Sequence, residues 1–247
     1  MDFIKSALCA ENFEYVAETG STNADLVSRA SSLDGFSVLV AGSQTAGRGR
    51  LGRVWVSPPN KSLAISVLVR PQDWSLENFG WLPLISGLAM RRAVASALPN
   101  SAVTLKWPND VQVGGKKISG ILSELLPDAS GVVIGAGINL TLSRDELPIE
   151  ASTSLAIEGA AITPDDFLVV YLVELKKLIA ANSQFADQVR AECATIGQSV
   201  KASFPNGSDV FGDAVGIDDS GRLLISVPGE TQLLAVSAAD IQHLRHN

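Results

Sequence analysis

Two patterns of apolar and polar positions divide the chain. Up to about residue 195, strand-length apolar runs alternate with stretches of helical period; beyond it only short apolar runs remain, cut by turn residues. Residues 13–18 (F-E-Y-V-A-E) alternate as a short strand does. Ser21, Thr22 and Asn23 then offer capping side chains to a segment in which Leu26, Val27 and Ala30 are spaced as on a helix. Apolar runs at 36–41 and 63–69 predict two buried strands. The longest helical stretch is 76–98; Pro83 predicts a late start, near Leu84, and Pro99 ends it. Residues 103–107 predict a strand stopped by Pro108, and strands at 110–113 and 116–125 flank Gly114-Gly115, a two-residue hairpin signal. A strand at 131–138 leads into a polar, proline-punctuated loop that reaches 154 and reads as mobile. Helices follow at 165–181, where Phe167, Leu168, Tyr171, Leu172, Leu175 and Leu178 share a face, and at 185–194, which takes in Cys193. Short runs at 199–204, 210–217, 223–227 and 232–236, separated by Pro-Asn-Gly, Asp-Asp-Ser-Gly and Pro-Gly, have the spacing of a small antiparallel barrel. The expected division is 1–195 and 196–247, with the boundary near Thr195.

Composition narrows the function classes. The 247 residues are 46% hydrophobic and 18% charged, which is a globular balance. A net charge of -7 argues against a broad basic face for nucleic acid. The apolar run after Met1 is too short for a signal peptide or a membrane span. Cys9 and Cys193 are far apart and form no CxxC, so reduced thiols and a cytoplasmic protein are expected. The only histidines, His243 and His246, close the chain, which leaves proton transfer to Lys, Asp or Glu.

Against this acidic background stands Q-T-A-G-R-G-R-L-G-R-V-W (44–55). It sets Arg48, Arg50 and Arg53 among Gly47, Gly49 and Gly52. Clustered guanidiniums repel and glycines give up backbone order, so the segment makes sense as a loop that closes over a phosphate-bearing ligand. It matches GxGxxG formally, but no helix can follow in V-W-V-S-P-P, so a dinucleotide fingerprint is excluded. In K-W-P-N-D (106–110), a bend at Pro108 brings Lys106 and Asp110 toward one cavity, where a carboxylate could orient or deprotonate an amine; a plain strand end is the alternative. Strict alternation along 116–125 puts Lys117, Ser119 and Ile121 on one face, with Lys116, Ile118 and Gly120 on the other. Gly120 admits a bulky group near the backbone. G-A-G-I-N (135–139) reads either as a tight turn or as a floor for a flat purine or sugar.

Together E-T-G-S-T-N (18–23), the arginine-glycine loop, K-W-P-N-D, K-I-S-G-I-L-S-E (117–124), G-A-G-I-N-L (135–140) and T-S-L (153–155) resemble the biotin protein ligases in order and spacing. The resemblance implies an α+β fold. Its sheet would be mixed and largely antiparallel, flanked by helices as in class II aminoacyl-tRNA synthetases, with a small C-terminal SH3-like β-barrel. It implies that biotin and ATP, with Mg²⁺, give biotinyl-5′-AMP, and that biotin then passes to a lysine of a biotin carboxyl carrier domain. The implied biotin-binding set is Ser21, Thr22, Asn23, Gln44, Gly47, Arg48, Gly49, Arg50, Trp55, Lys117 and Gly120. The implied adenylate set is Arg48, Arg50, Arg53, Lys106, Asn109, Lys117 and Asn139, and Arg48, Lys117 and Asp110 carry the catalytic roles. No protein-held metal is expected; the Mg²⁺ accompanies ATP.

Larger members carry an N-terminal winged-helix DNA-binding domain, and only twenty residues precede Ser21 here. A ligase without repressor activity, with no DNA or membrane partner, is expected as a monomer or a homodimer. Two alternatives remain open. One is a lipoate ligase or octanoyltransferase; the other is an inactive biotin- or nucleotide-binding module.

Overall fold

The computed structural model describes residues 1–72, 74–181 and 184–244. Seven strands form the main sheet: β1 (Asn12–Val16), β2 (Ser37–Ala41), β3 (Ser62–Val69), β4 (Val103–Lys106), β5 (Asp110–Val113), β6 (Lys116–Leu125) and β7 (Val132–Asn139). Their order is β1-β2-β3-β7-β6-β5-β4. The short helix α1 (Ile4–Ala7) precedes β1. Only β1 and β2 run parallel, because helix α2 (Thr22–Arg29) carries the chain between them; the short links from β4 to β7 enforce antiparallel pairing. The expected mixed, largely antiparallel sheet flanked by helices is what the chain forms.

Every residue of β3 is buried, so both sheet faces are covered. Leu63, Ile65, Val67 and Val69 enter the large core beneath α3 (Leu82–Ala97) and α4 (Pro164–Ala180). Leu68 points the other way and joins Leu39 and Val133 against Leu26 and Ala30 of the α2 layer. Pro83 sits in the first turn of α3, and 76–81 forms a separate 3₁₀ turn, as the late start predicted. Thr163 caps α4 by accepting from the Asp166 amide. Between α3 and α4 the buried Tyr171 and Ser86 hydroxyls satisfy one another at 2.9 Å, which removes the penalty of burying either alone.

Helix α5 (Gln184–Glu192) stops before Cys193, which pairs instead in a single bridge with Leu105; the expected inclusion of Cys193 in a helix is corrected. The C-terminal strands β8 (Ser199–Ser203), β9 (Asp209–Ile217), β10 (Leu223–Ser226), β11 (Leu234–Val236) and β12 (Asp240–His243) form a five-stranded antiparallel sheet in the order β11-β10-β9-β8-β12. Strand β12 was not predicted, because D-I-Q-H offers one apolar residue to pattern reading. This sheet docks on the main one through two buried indoles. Trp81 donates to the Asp219 carbonyl (2.8 Å) and Trp107 to the Gly221 carbonyl (3.1 Å). That docking brings β12 to the rim of the main sheet. No helix among the described residues is long and apolar enough to cross a membrane.

Candidate functional site

Strand register assembles a floor of small residues on the α2 side of the sheet. Ala64, Gly137 and Gly120 stand in one row across β3, β7 and β6, and Ser66, Gly135 and Leu122 in the next. With few side chains rising from it, the sheet leaves a cavity of about 550 Å³. The Trp55 indole lies directly over Gly137, where a side chain would collide with it, and its edge reaches Gly120, where a Cβ would lie 3.4 Å from it.

One end of the cavity is a polar seat at the start of α2. Ser21 caps the helix, with its hydroxyl 3.5 Å from the Ala24 amide. Gln44 Oε1 accepts from the Thr22 amide (2.8 Å) and hydroxyl (3.1 Å), which leaves the amide N–H groups of Gln44 for a ligand. Asn23 is 5% exposed and fully engaged. Its Nδ2 donates to the Leu122 carbonyl (3.1 Å) and to Glu124 (2.7 Å), and its Oδ1 accepts from Ser66 (2.6 Å). Asn23 therefore builds the seat more than it faces into it.

The arginine-glycine segment folds over the cavity as a narrow hairpin. The Gly49 amide donates to the Arg53 carbonyl (2.7 Å) and the Trp55 amide to the Gly47 carbonyl (3.0 Å). The chain reverses at Leu51 (φ 55°) and Gly52 (φ 74°), the double positive φ that suits a tight hairpin. Gly47 does not line the cavity; a Cβ there would press to 2.5 Å from the Trp55 carbonyl, so the residue permits the strands' close approach. The expectation that a bound polyanion supplies the loop's countercharge is corrected in part. Arg48 pairs with Glu124 (3.0 Å), Arg53 with Asp240 of β12, and Arg50 donates to Asn109 (3.3 Å). Acidic groups of the chain itself thus hold the hairpin in place.

The other end is cationic. Lys117 Nζ lies 2.6 Å from Asp110 Oδ1. Burial lowers the pKa of Lys106, helped by neighbouring Lys117 and opposed by Asp110. Burial likewise lowers that of Arg50, which stays charged. Strict alternation along β6 does not hold. Val111 pairs with Ser119 but Gln112 with Lys117, so Ile118 is an extra residue in a bulge. The bulge lays the Lys117 ammonium 3.1 Å from where a Gly120 Cβ would stand, so these two residues share the cavity face. The Trp107–Pro108 peptide is cis, and Asn109 donates to the Ile121 carbonyl at 2.8 Å. Segment 151–155 stitches the rim. The Lys117 amide donates to the Ala151 carbonyl (2.8 Å), the Thr153 amide to the Lys117 carbonyl (2.8 Å), and Asn139 Nδ2 to the Thr153 carbonyl (2.9 Å). The 141–153 loop is itself tied down, since Glu146 caps its own turn and pairs with Lys61.

The structure thus brings Ser21, Thr22, Asn23, Gln44, Arg48, Gly49, Arg50, Arg53, Trp55, Lys106, Asn109, Asp110, Lys117, Gly120 and Asn139 to one cavity wall. Sequence reasoning missed Glu124, and it missed Ser203, Asp240, Ile241 and Gln242, by which the C-terminal sheet completes the wall. Glu124 stood in a motif already singled out; nothing in the sequence pointed to β12. His243 packs behind the wall, with Nε2 3.1 Å from the Thr195 hydroxyl, and burial and then Lys106 hold its pKa down; His246 lies outside the described residues.

The chain belongs to the biotin/lipoate A/B protein ligase family, whose model matches residues 15–139, and the biotin protein ligase C-terminal domain model matches 195–244. It is 43% identical over 241 residues, 94% of this chain and 89% of the other, to a biotin–[acetyl-CoA-carboxylase] ligase of Mycobacterium tuberculosis. It is 32% identical, over 85% of this chain and 67% of the other, to the bifunctional ligase/repressor BirA of Escherichia coli. Among solved structures, the biotin protein ligase of Aquifex aeolicus in complex with biotin and ATP superposes with a TM-score of 0.78 at 29% identity, covering 95% of this chain and all of that one.

Proposed function

We propose that this ligase activates biotin with ATP to biotinyl-5′-AMP and then transfers the biotinyl group to one lysine of a carboxylase's biotin carboxyl carrier domain. The observation that carries this reading is the charge of the cavity. Five cations (Arg48, Arg50, Arg53, Lys106 and Lys117) meet three carboxylates (Asp110, Glu124 and Asp240), leaving an excess of two positive charges in a chain whose net charge is -7. An acyl-adenylate brings a phosphate to that excess and an uncharged acyl group to the small-residue floor.

In the first step a biotin carboxylate oxygen bonds to the α-phosphorus, the bond to the β-phosphate breaks, and pyrophosphate leaves. Both reactants are anionic, so Arg48, Arg50 and Lys117 lower the barrier by neutralising them where water is excluded. Ser21, Thr22 and Gln44 hold the ureido ring. Trp55 seals the floor, and Asn139 with the 141–153 loop borders the nucleoside. Lys117 turns from Asp110 to the ligand, which frees the carboxylate. In the second step the acceptor amine attacks the acyl carbon, the bond to the phosphate oxygen breaks, AMP leaves, and Asp110 takes the amine proton. The Mg²⁺ would arrive with ATP, held by the triphosphate oxygens. Residues 1–195 act as the catalytic unit and 196–247 as the domain that closes its wall. The reaction belongs to the cytoplasm, where ATP is supplied.

The test is incubation with ATP, biotin and a purified carrier domain, read by intact-protein mass. One biotinyl adduct is expected, and none on a carrier whose target lysine is arginine; a lipoyl adduct formed equally well from lipoate and ATP would contradict the substrate assignment. Arg48→Ala is expected to shed the adenylate roughly 10²-fold faster, with biotin affinity changed far less. Calorimetry with biotin and with a non-hydrolysable adenylate mimic measures both, and equal losses would remove the phosphate role.

A further inference from the structure

Glu124 joins the polar seat to the hairpin that covers the cavity. One of its carboxylate oxygens accepts from Asn23 Nδ2 at 2.7 Å, and Asn23 is itself fixed by Ser66 and by the Leu122 carbonyl. The same carboxylate holds Arg48, with both oxygens on a single nitrogen: Nη2 lies 3.0 Å from Oε1 and 3.1 Å from Oε2. A guanidinium has five N–H donors in a rigid fork, so this grip leaves Nη1 and Nε open for another anion. The Glu124 side chain is 26% exposed and the Arg48 side chain 51% exposed, so the pair lies at the cavity mouth, with the anchor on the protein side.

We infer that Glu124 is a positioning residue: it aims the free edge of Arg48 at the phosphate of the bound adenylate and fixes the first strand of the hairpin to the Asn23 seat. The inference rests on the reading of the cavity as an adenylate site. A second clasp, Arg53 to Asp240, fixes the return strand to the C-terminal sheet, so the hairpin is held at two anchors, one on β6 and one on β12. Removing the Glu124 charge frees one side of the hairpin. Arg48 then samples many directions, and the ordering it had in the free protein must be supplied during nucleotide binding. Asn23 keeps its other partners, so the biotin seat survives the change.

Glu124→Gln tests this, because the amide oxygen still accepts from Asn23 while the ion pair is lost. In the ligand-free protein, trypsin is expected to cut within 47–53 at least about fivefold faster, with the melting temperature unchanged. In the presence of biotin, KM for ATP is expected to rise about tenfold while the dissociation constant for biotin stays within about twofold. The double variant Arg48→Ala/Glu124→Gln should bind and adenylate no worse than Arg48→Ala alone, since both changes remove one interaction. Wild-type trypsin rates, an unchanged KM for ATP, or losses that add in full to those of Arg48→Ala would each overturn the inference. So would a loss of biotin affinity as large as the loss for ATP, which would place Glu124 in the seat alone. If the wild-type protein released no pyrophosphate from biotin and ATP, the adenylation reading would fall, and the trypsin rates would still decide whether Glu124 anchors Arg48.

Discussion

Lys117→Ala yields a folded protein whose biotin-dependent pyrophosphate release falls by roughly 10³-fold, at the upper end of what loss of one transition-state cation costs. The ammonium projects from the bulge at Ile118 over the glycine floor, and no other lysine can take its place. Lys106 sits on β4, where burial lowers its pKa, and Lys116 begins β6 beside the Gly114-Gly115 turn, ahead of the bulge. Stability should change little. The ion pair with Asp110 is partly solvated and worth about 1 kcal/mol, and Asp110 keeps Arg50 and Lys106 nearby after the substitution. Thermal melting paired with a pyrophosphate assay separates the two effects. A near-normal rate would move the bridging role to another cation; a collapsed melting temperature would make Lys117 structural.

Gly135→Ala has the largest expected effect on the fold and on biotin together. A methyl group at 135 would overlap the Asn23 side-chain amide, which cannot move aside because Leu122, Glu124 and Ser66 hold it. Overpacking of this kind costs about 1–3 kcal/mol, and each displaced hydrogen bond adds about 1 kcal/mol. For a chain of this size that is a fall of roughly 3–10 °C in melting temperature. Displacing Asn23 also shifts Thr22 and the helix start, so biotin affinity should fall by at least about tenfold. Calorimetry with biotin alone reads that loss without any need for turnover. Wild-type melting with wild-type affinity would show that the floor tolerates a side chain at this row.

Much of this site was legible because its chemistry is written in local runs. Gly114-Gly115 announced the β5–β6 hairpin, Pro83 the late start of α3, and the arginine-glycine run the cationic cover, since each signal depends on neighbours in the chain. The glycines at 120, 135 and 137 were visible singly, but their meeting in rows across β3, β7 and β6 depends on register, which no single strand encodes. The bulge at Ile118 broke an alternation argument that assumed a regular pleat. The two acidic clasps were out of reach for another reason. Arg48 and Glu124 are 76 residues apart, and Asp240 belongs to a strand too short and too polar to be recognised. Loop charge alone therefore overstated how far the hairpin depends on a ligand for order.

The most direct measurement is the protein with biotin and Mg-ATP and no acceptor, followed by quantifying released pyrophosphate and the small molecules retained on the chain by mass spectrometry. One pyrophosphate released and one biotinyl-5′-AMP retained per active chain, both absent without biotin, is the expected result. Pyrophosphate no higher than in the biotin-free control, with no adenylate on the protein, would contradict a cavity built to neutralise an acyl-phosphate.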